Sequence, residues 1–102
     1  MVLIQILLPL YDNNGQPFPQ QAYNQVRDEL TRQFGGLTTY VRSPARGLWQ
    51  EDEGKTVQDD IVIYEVMAEQ LDRAWWQAYR EQLRRRYRQE ELVIRASEIE
   101  LL

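Results

Sequence analysis

Two hydrophobic periods alternate along this chain, and their order leaves very few topologies open. Residues 2–8 are an apolar run closed by Pro9, and Asp12, Asn13, Asn14, Gly15 and Pro17 follow as turn residues. Ala22, Tyr23, Val26, Leu30 and Phe34 then recur at helical spacing. Pro19 suits a first helical turn, where its missing N–H would be unpaired anyway. Asp28 and Arg32 stand four apart in the order that supports a helix. Gly35-Gly36 ends it, because glycine takes the left-handed position after a helix without a Cβ clash.

The period falls to two over residues 37–42 and again over 60–67, "DIVIYEVM", a run of strong β-formers. A polar hairpin turn at 51–54 separates these strands. A long helix is predicted over 69–88, with Leu71, Trp75, Ala78, Tyr79 and Leu83 on its buried face. Arg84, Arg85, Arg86 and Arg88 lie at its end, where cations suit the helix dipole. Residues 92–96 are the last clear strand. The tail at 97–102, "SEIELL", alternates Ile99 and Leu101 with Glu98 and Glu100, which reads as a short extra strand or a frayed end.

The order is therefore β-α-β-β-α-β, the split βαβ or ferredoxin-like arrangement of the α+β class. Its sheet is antiparallel in the order 4-1-3-2, with two helices on one face. Pro44 agrees, because a proline cannot donate to a sheet ladder and belongs on an edge strand, which the second strand is in this order. With 102 residues the chain reads as a single domain, residues 1–102, long enough to bury roughly two-thirds of its unfolded surface.

Composition removes several classes of function. There is no cysteine, so disulfides and thiolate chemistry are excluded. There is no histidine either, which removes the usual neutral-pH base and the commonest transition-metal ligand. No acidic residues are spaced as a known metal loop, so neither metal nor cofactor is expected. The net charge of −4 disfavours phosphate backbones and anionic lipids, so neither nucleic acid nor membrane is expected as a partner. "MVLIQILLPLY" lacks the basic start and cleavage site of a signal segment and is too short to span a bilayer, so it reads as the first strand of a cytoplasmic protein.

The candidate site follows from strand alternation. Gln5, Glu65 and Arg95 each fall on one face of their strand, and the cost of burying polar groups sends those faces away from the helices. The same faces carry Leu3, Leu7, Ile61, Ile63, Met67 and Val93, an apolar area that calls for a cover. The simplest cover is a second copy, giving a homodimer. A hairpin turn centred between Asp52 and Glu53 would set Tyr40 opposite Glu65, Arg42 opposite Ile63 and Arg46 opposite Asp59. A bulge at Ser43-Pro44 or Gly47 would shift that register. The candidate ligand-binding set is then Gln5, Tyr40, Arg42, Trp49, Glu65 and Arg95, a few polar groups in an apolar frame, as small-molecule sites are built. A salt-bridged dimer interface without a ligand fits the same residues.

Other features have two readings each. Trp49 would either close a groove or pack its hairpin onto the body. Trp75 and Trp76 are about 100° apart on a helix, so only one can face the core. Arg46 would bind an anion or pair across strands with Asp59 or Asp60. The arginines at 84–88 would bind an anion or form a solvated helix end. Asp59-Asp60 would be an acid/base pair or a strand-start turn.

In "FGGLTTYVRSPARGLW", "DDIVIYEVM" and "LDRAWWQAYREQL" the chain resembles a small family of uncharacterised bacterial proteins with Phe-Gly-Gly, Pro-Ala-x-Gly-x-Trp and Trp-Trp signatures. That resemblance implies a one-domain bacterial cytoplasmic protein and no particular activity. More widely the chain is similar to dimeric α+β barrel proteins, some of which are monooxygenases, isomerases or haem-handling enzymes; this is analogy of fold alone. Two functions remain. One is a homodimer that binds a small ligand or a protein partner on the open sheet face. The other is a cofactor-free enzyme in which Glu65, raised in pKa by apolar neighbours, is the base, Arg42 or Arg95 stabilises an anion and Tyr40 donates a hydrogen bond. RNA binding is set aside, since the third strand is acidic and lacks the Lys/Arg-Gly-aromatic pattern.

Overall fold

The N-terminal apolar run forms the strand on which the rest of the protein is laid down. In a computed structural model, which describes residues 1–36, the backbone of 38–42 and residues 61–102, β1 (Val2–Pro9) alternates strictly between buried and half-buried positions. It is followed by α1 (Gln20–Phe34), β2 (Thr38–Arg42), β3 (Ile61–Ala68), α2 (Arg73–Arg86) and β4 (Ile94–Glu98), an α+β fold in the expected element order. The sheet order is β2-β3-β1-β4 with every neighbouring pair antiparallel. The two most apolar strands, β1 and β3, are thus central, where each is hydrogen-bonded on both edges.

One face of the sheet makes the core. Ile4, Ile6 and Leu8 of β1 join Val62, Tyr64 and Val66 of β3 against Tyr23, Val26 and Leu30 of α1 and Trp76, Tyr79 and Leu83 of α2. Both helices therefore pack on the same side. Each fully buried side chain of this size stabilises the fold by roughly 1.5–3 kcal/mol.

Helix ends follow their capping residues. α1 starts immediately after Pro19, whose extended backbone (φ −67°, ψ 149°) hands the chain into the helix. Gly35 closes it at φ 79°, donating its N–H to the Thr31 carbonyl at 2.7 Å. α2 is shorter at both ends than the periodicity suggests. Asp72 is the reason at the start, since its carboxylate accepts the Trp75 N–H at 3.1 Å and so fixes the first turn at Arg73. At the other end Tyr87 caps and Arg88 turns left-handed at φ 51°.

Four local expectations are corrected. On α2 the buried tryptophan is Trp76, 5% exposed, and Ala78 is exposed. Trp76 stacks on Phe34 at 5.2 Å, while Trp75 meets the same ring edge-on from a half-buried position. The last strand begins two residues later than residues 92–96, because Leu92 is already committed to the core (4% exposed) before pairing with β1 starts. Its pairing consumes Ser97 and Glu98, and Ile99 donates its N–H to the Met1 carbonyl, so the tail carries no separate strand among the described residues. Asp28 pairs with its neighbour Arg27 at 3.2 Å rather than with Arg32.

Tyrosine hydroxyls fasten the helices to the sheet. Tyr64 donates to the Tyr23 carbonyl at 3.0 Å, Tyr23 to the Pro9 carbonyl at 2.6 Å, and Tyr87 to the Ala22 carbonyl at 3.1 Å. Burial, aided by the neighbouring Tyr64 hydroxyl, pushes the Tyr23 phenol up to about 12, and burial raises Tyr64, Tyr79 and Tyr87 as well.

One member of the arginine cluster has a partner on the other helix. Arg86 grips Glu29 of α1 with two bonds, 2.8 and 2.7 Å, and the Tyr79 hydroxyl adds a third at 2.8 Å. Burial pushes the Glu29 carboxyl up, but the bonds from Arg86 and Tyr79 outweigh it and hold the group below its ordinary value. Arg84 and Arg85 both reach Glu81 on their own helix. The cluster is thus an interhelical clip and a helix-end network.

Candidate functional site on the bare sheet face

Because both helices sit on one side, the alternate residues of every strand look the other way. Strand pairing arranges these positions in rows. The central row runs Arg95, Gln5, Glu65 across β4, β1 and β3, and its β2 position is Thr38. On one side of it lie Ser97, Leu3 and Met67. On the other lie Leu7 and Ile63, with Tyr40 at the β2 position, and beyond them Ile61 and Arg42.

The three polar side chains of the central row are joined. The Arg95 Nε–H donates to the Gln5 Oε1 at 2.6 Å, and the Gln5 Nε2–H donates to the Glu65 Oε2 at 2.6 Å. A single amide therefore bridges a cation and an anion that stand two strands apart. Both bonds are charge-assisted, and together they fix which way the Gln5 amide points. Gln5 and Glu65 are half-buried, while Arg95 is exposed. Of Arg95, only Nε is engaged among the described residues, which leaves the donors of its terminal nitrogens for an anionic group.

The frame is apolar. Leu3 and Leu7 are half-buried, Met67 is 52% and Val93 50% exposed. Ile63 is only 3% exposed although it belongs to no part of the helix-side core. A carboxylate, an amide and a guanidinium in line, edged by aliphatic groups, can orient a small molecule by hydrogen bonds while its apolar part covers Leu3, Leu7 and Met67.

The structure brings Gln5, Glu65 and Arg95 together as expected. It corrects the β2 register. Tyr40 stands opposite Ile63 and Arg42 opposite Ile61, each two residues from the expected partner. A slip of two keeps every position on its face, because the strand period is two, so alternation alone could not distinguish the two registers. Tyr40 thus takes the row beside the triad and Arg42 the row beyond. Trp49, the Arg46–Asp59 pair, Asp60, the turn at 51–54, Pro44 and the bulge expected near it lie outside the described residues.

A second feature was missed from the sequence. On α2, Arg73, Gln77 and Arg80 line, with Ile4, Leu71 and Trp76 and with Ile94, Arg95 and Ala96 of β4, a cleft of about 290 Å³. Their i, i+4, i+7 spacing was the available signal, since it puts three polar residues on one stripe of the helix. Among the described residues no three acidic side chains gather as a metal site, and no helix is long and apolar enough to cross a membrane.

No protein-family model matches the chain, and no curated protein matches it. Among solved structures the chain is similar to a phage SAM lyase in complex with S-methyl-5′-thioadenosine. The TM-score is 0.63 at 14% identity, over 95% of this chain and 80% of that one. At that identity the likeness is one of fold.

Proposed function

We propose that this chain is a ferredoxin-like, bacterial cytoplasmic domain that binds a small organic ligand on the bare face of its sheet and works as a homodimer. The observation that carries the reading is the Arg95–Gln5–Glu65 chain, held at 2.6 Å per bond inside an apolar frame. Polar groups that served solubility alone would have no reason to be locked to one another across three strands. The guanidinium supplies a place for a carboxylate or other anionic group, and the amide and carboxylate fix the ligand's orientation beside it. The exposed Met67 and Val93 are the surface that the ligand, a second copy, or both would cover.

The similarly folded phage enzyme was solved with S-methyl-5′-thioadenosine, which makes that thionucleoside a reasonable first probe. Calorimetric titration with it, and with a panel of small carboxylic acids and nucleosides, tests the reading. Saturable binding that Gln5→Leu weakens by tenfold or more is expected. Binding indifferent to Gln5, or none across the panel, would remove the open face as a ligand site.

The second reading is a cofactor-free enzyme of dimeric α+β barrel type. Glu65 would accept a proton from a bound ligand while Arg95 stabilises the anion that forms. The half-buried carboxylate, linked to a guanidinium through the Gln5 amide, favours it. In this case Glu65→Gln abolishes turnover with the fold and ligand affinity retained, whereas turnover unchanged by that substitution excludes it.

A further inference from the structure

β4 is an edge strand with its outer edge unpaired among the described residues, and all of its residues from Arg95 onward are exposed. Such an edge is a template for another strand unless something blunts it. β4 is short and carries Arg95 and Glu98, but it has no proline, and no described element covers its outer edge.

The space beside that edge is shaped for an extended chain. The cleft under Arg73, Gln77 and Arg80 continues past Leu71, Arg73 and Ala96 into a second hollow that runs to Glu98. The two hollows adjoin as a trough along the helix side of β4, its second half lined also by Glu69 and Glu98. Five strand residues at about 3.3 Å each make it roughly 16 Å long.

Its charge is equally specific. Arg73 and Arg80, like Arg32, Arg88 and Arg95, have no carboxylate partner among the described residues, and Arg73, Arg80 and Arg95 line the same cleft. Arg73 is also the first residue of α2, where the helix dipole favours an anion, and the first turn holds no acidic residue. Asp72 already sets a carboxylate at that end by accepting the Trp75 N–H, so the positive charge of the trough rests on the Arg73 and Arg80 side chains rather than on the helix dipole.

The chain's own C-terminal segment has the complementary chemistry. Glu98 and Glu100 are exposed, the Glu98 carboxylate meets the N-terminal ammonium at 3.8 Å, and Leu101 and Leu102 are exposed. Two carboxylates at alternate positions of an extended chain are about 7 Å apart, and Arg73 and Arg80 are about 10 Å apart along the helix, a difference that long side chains absorb.

We propose that β4 pairs antiparallel with β4 of a second copy, each copy laying its acidic 98–102 segment along the other's trough. A register centred on Ser97 sets the partner's Glu98 against Ala96 and its Glu100 against Ile94, on the helix side of the strand, where Arg73 and Arg80 lie. The contact is isologous, so both troughs fill at once. It uses the sheet edge rather than the bare face, and so goes beyond the reading above.

A charge swap tests it by native mass spectrometry and analytical ultracentrifugation. The double variant R73E/R80E puts acid against acid, and E98R/E100R puts base against base. Each alone should lose one association step that the wild type shows, with affinity weakened by at least about tenfold. An equimolar mixture should restore that step as a mixed species, because both troughs then meet a tail of opposite charge. All four positions are exposed, and restoration on mixing excludes misfolding as the cause of the loss. A wild-type assembly unchanged by R73E/R80E, a wild-type monomer, or a mixture that stays unassembled would overturn the proposal. Met67→Glu, on the bare face, should leave the restoration intact, which separates the two surfaces.

Discussion

Replacing Glu29 by glutamine removes the charge from a hydrogen-bonded clip between side chains of α1 and α2. The carboxylate takes two bonds from Arg86 and one from Tyr79, all between 2.7 and 2.8 Å. Glu29 and Arg86 are 26% and 27% exposed, so solvent screens part of the attraction. Exposed pairs contribute under about 1 kcal/mol, while well-buried charged hydrogen bonds contribute roughly 1.5–3 kcal/mol. The clip lies between, and glutamine retains one acceptor, so about 1 kcal/mol should be lost at pH 7. A domain of this length gains about 0.2 kcal/mol/K of unfolding entropy at its midpoint, which converts the loss to a Tm lower by about 5 °C.

The pH dependence has a definite sign. Glu29 has a folded-state value held below its unfolded one. The clip's contribution is therefore complete above the unfolded value, roughly 4.3, and fades as the pH falls through the folded value. Calorimetry of wild type and Glu29→Gln between pH 7 and pH 2 should show a Tm gap that is constant to about pH 5 and closes below it. A gap that persists at pH 2, or none at pH 7, would refute the assignment.

Three further outcomes are expected. Leu30→Ala, at a fully buried position between α1 and the sheet, should cost roughly 2–5 kcal/mol in denaturant unfolding. Asp72→Ala removes the α2 cap and should cost about 1 kcal/mol with little change in the denaturant slope. Tyr23, pushed to about 12, contributes stability that is intact below the unfolded tyrosine value near 10 and is lost as pH rises through 12, so alkaline unfolding should fall within that window and track phenolate absorbance.

The fold was legible because its signals are local and redundant. The strict alternation of β1, the glycine after α1 and the β-branched run of β3 each name an element without reference to the others. Gln5, Glu65 and Arg95 were legible for a related reason: strand parity fixes the face, and the burial cost of polar groups chooses which face is bare. What alternation cannot carry is translation along the strand, so the register of Tyr40 and Arg42 moved by two while their faces did not. The choice of Trp76 over Trp75 was equally invisible, since adjacent aromatics on a helix fit a core equally well until Phe34 offers a face to one of them. The Glu29–Arg86 clip joins residues 57 apart in sequence, and no local pattern announces it. The trough beside β4 depends on how far α2 stands from the sheet edge, which is a property of packing.

The most direct test of the central claim is native mass spectrometry of the protein purified without denaturation, beside its Gln5→Leu variant. A bare-face site predicts a dimer that retains a small organic mass in the wild type and loses that mass in the variant. A wild-type monomer with no bound species, or a retained mass that Gln5→Leu leaves in place, would contradict it.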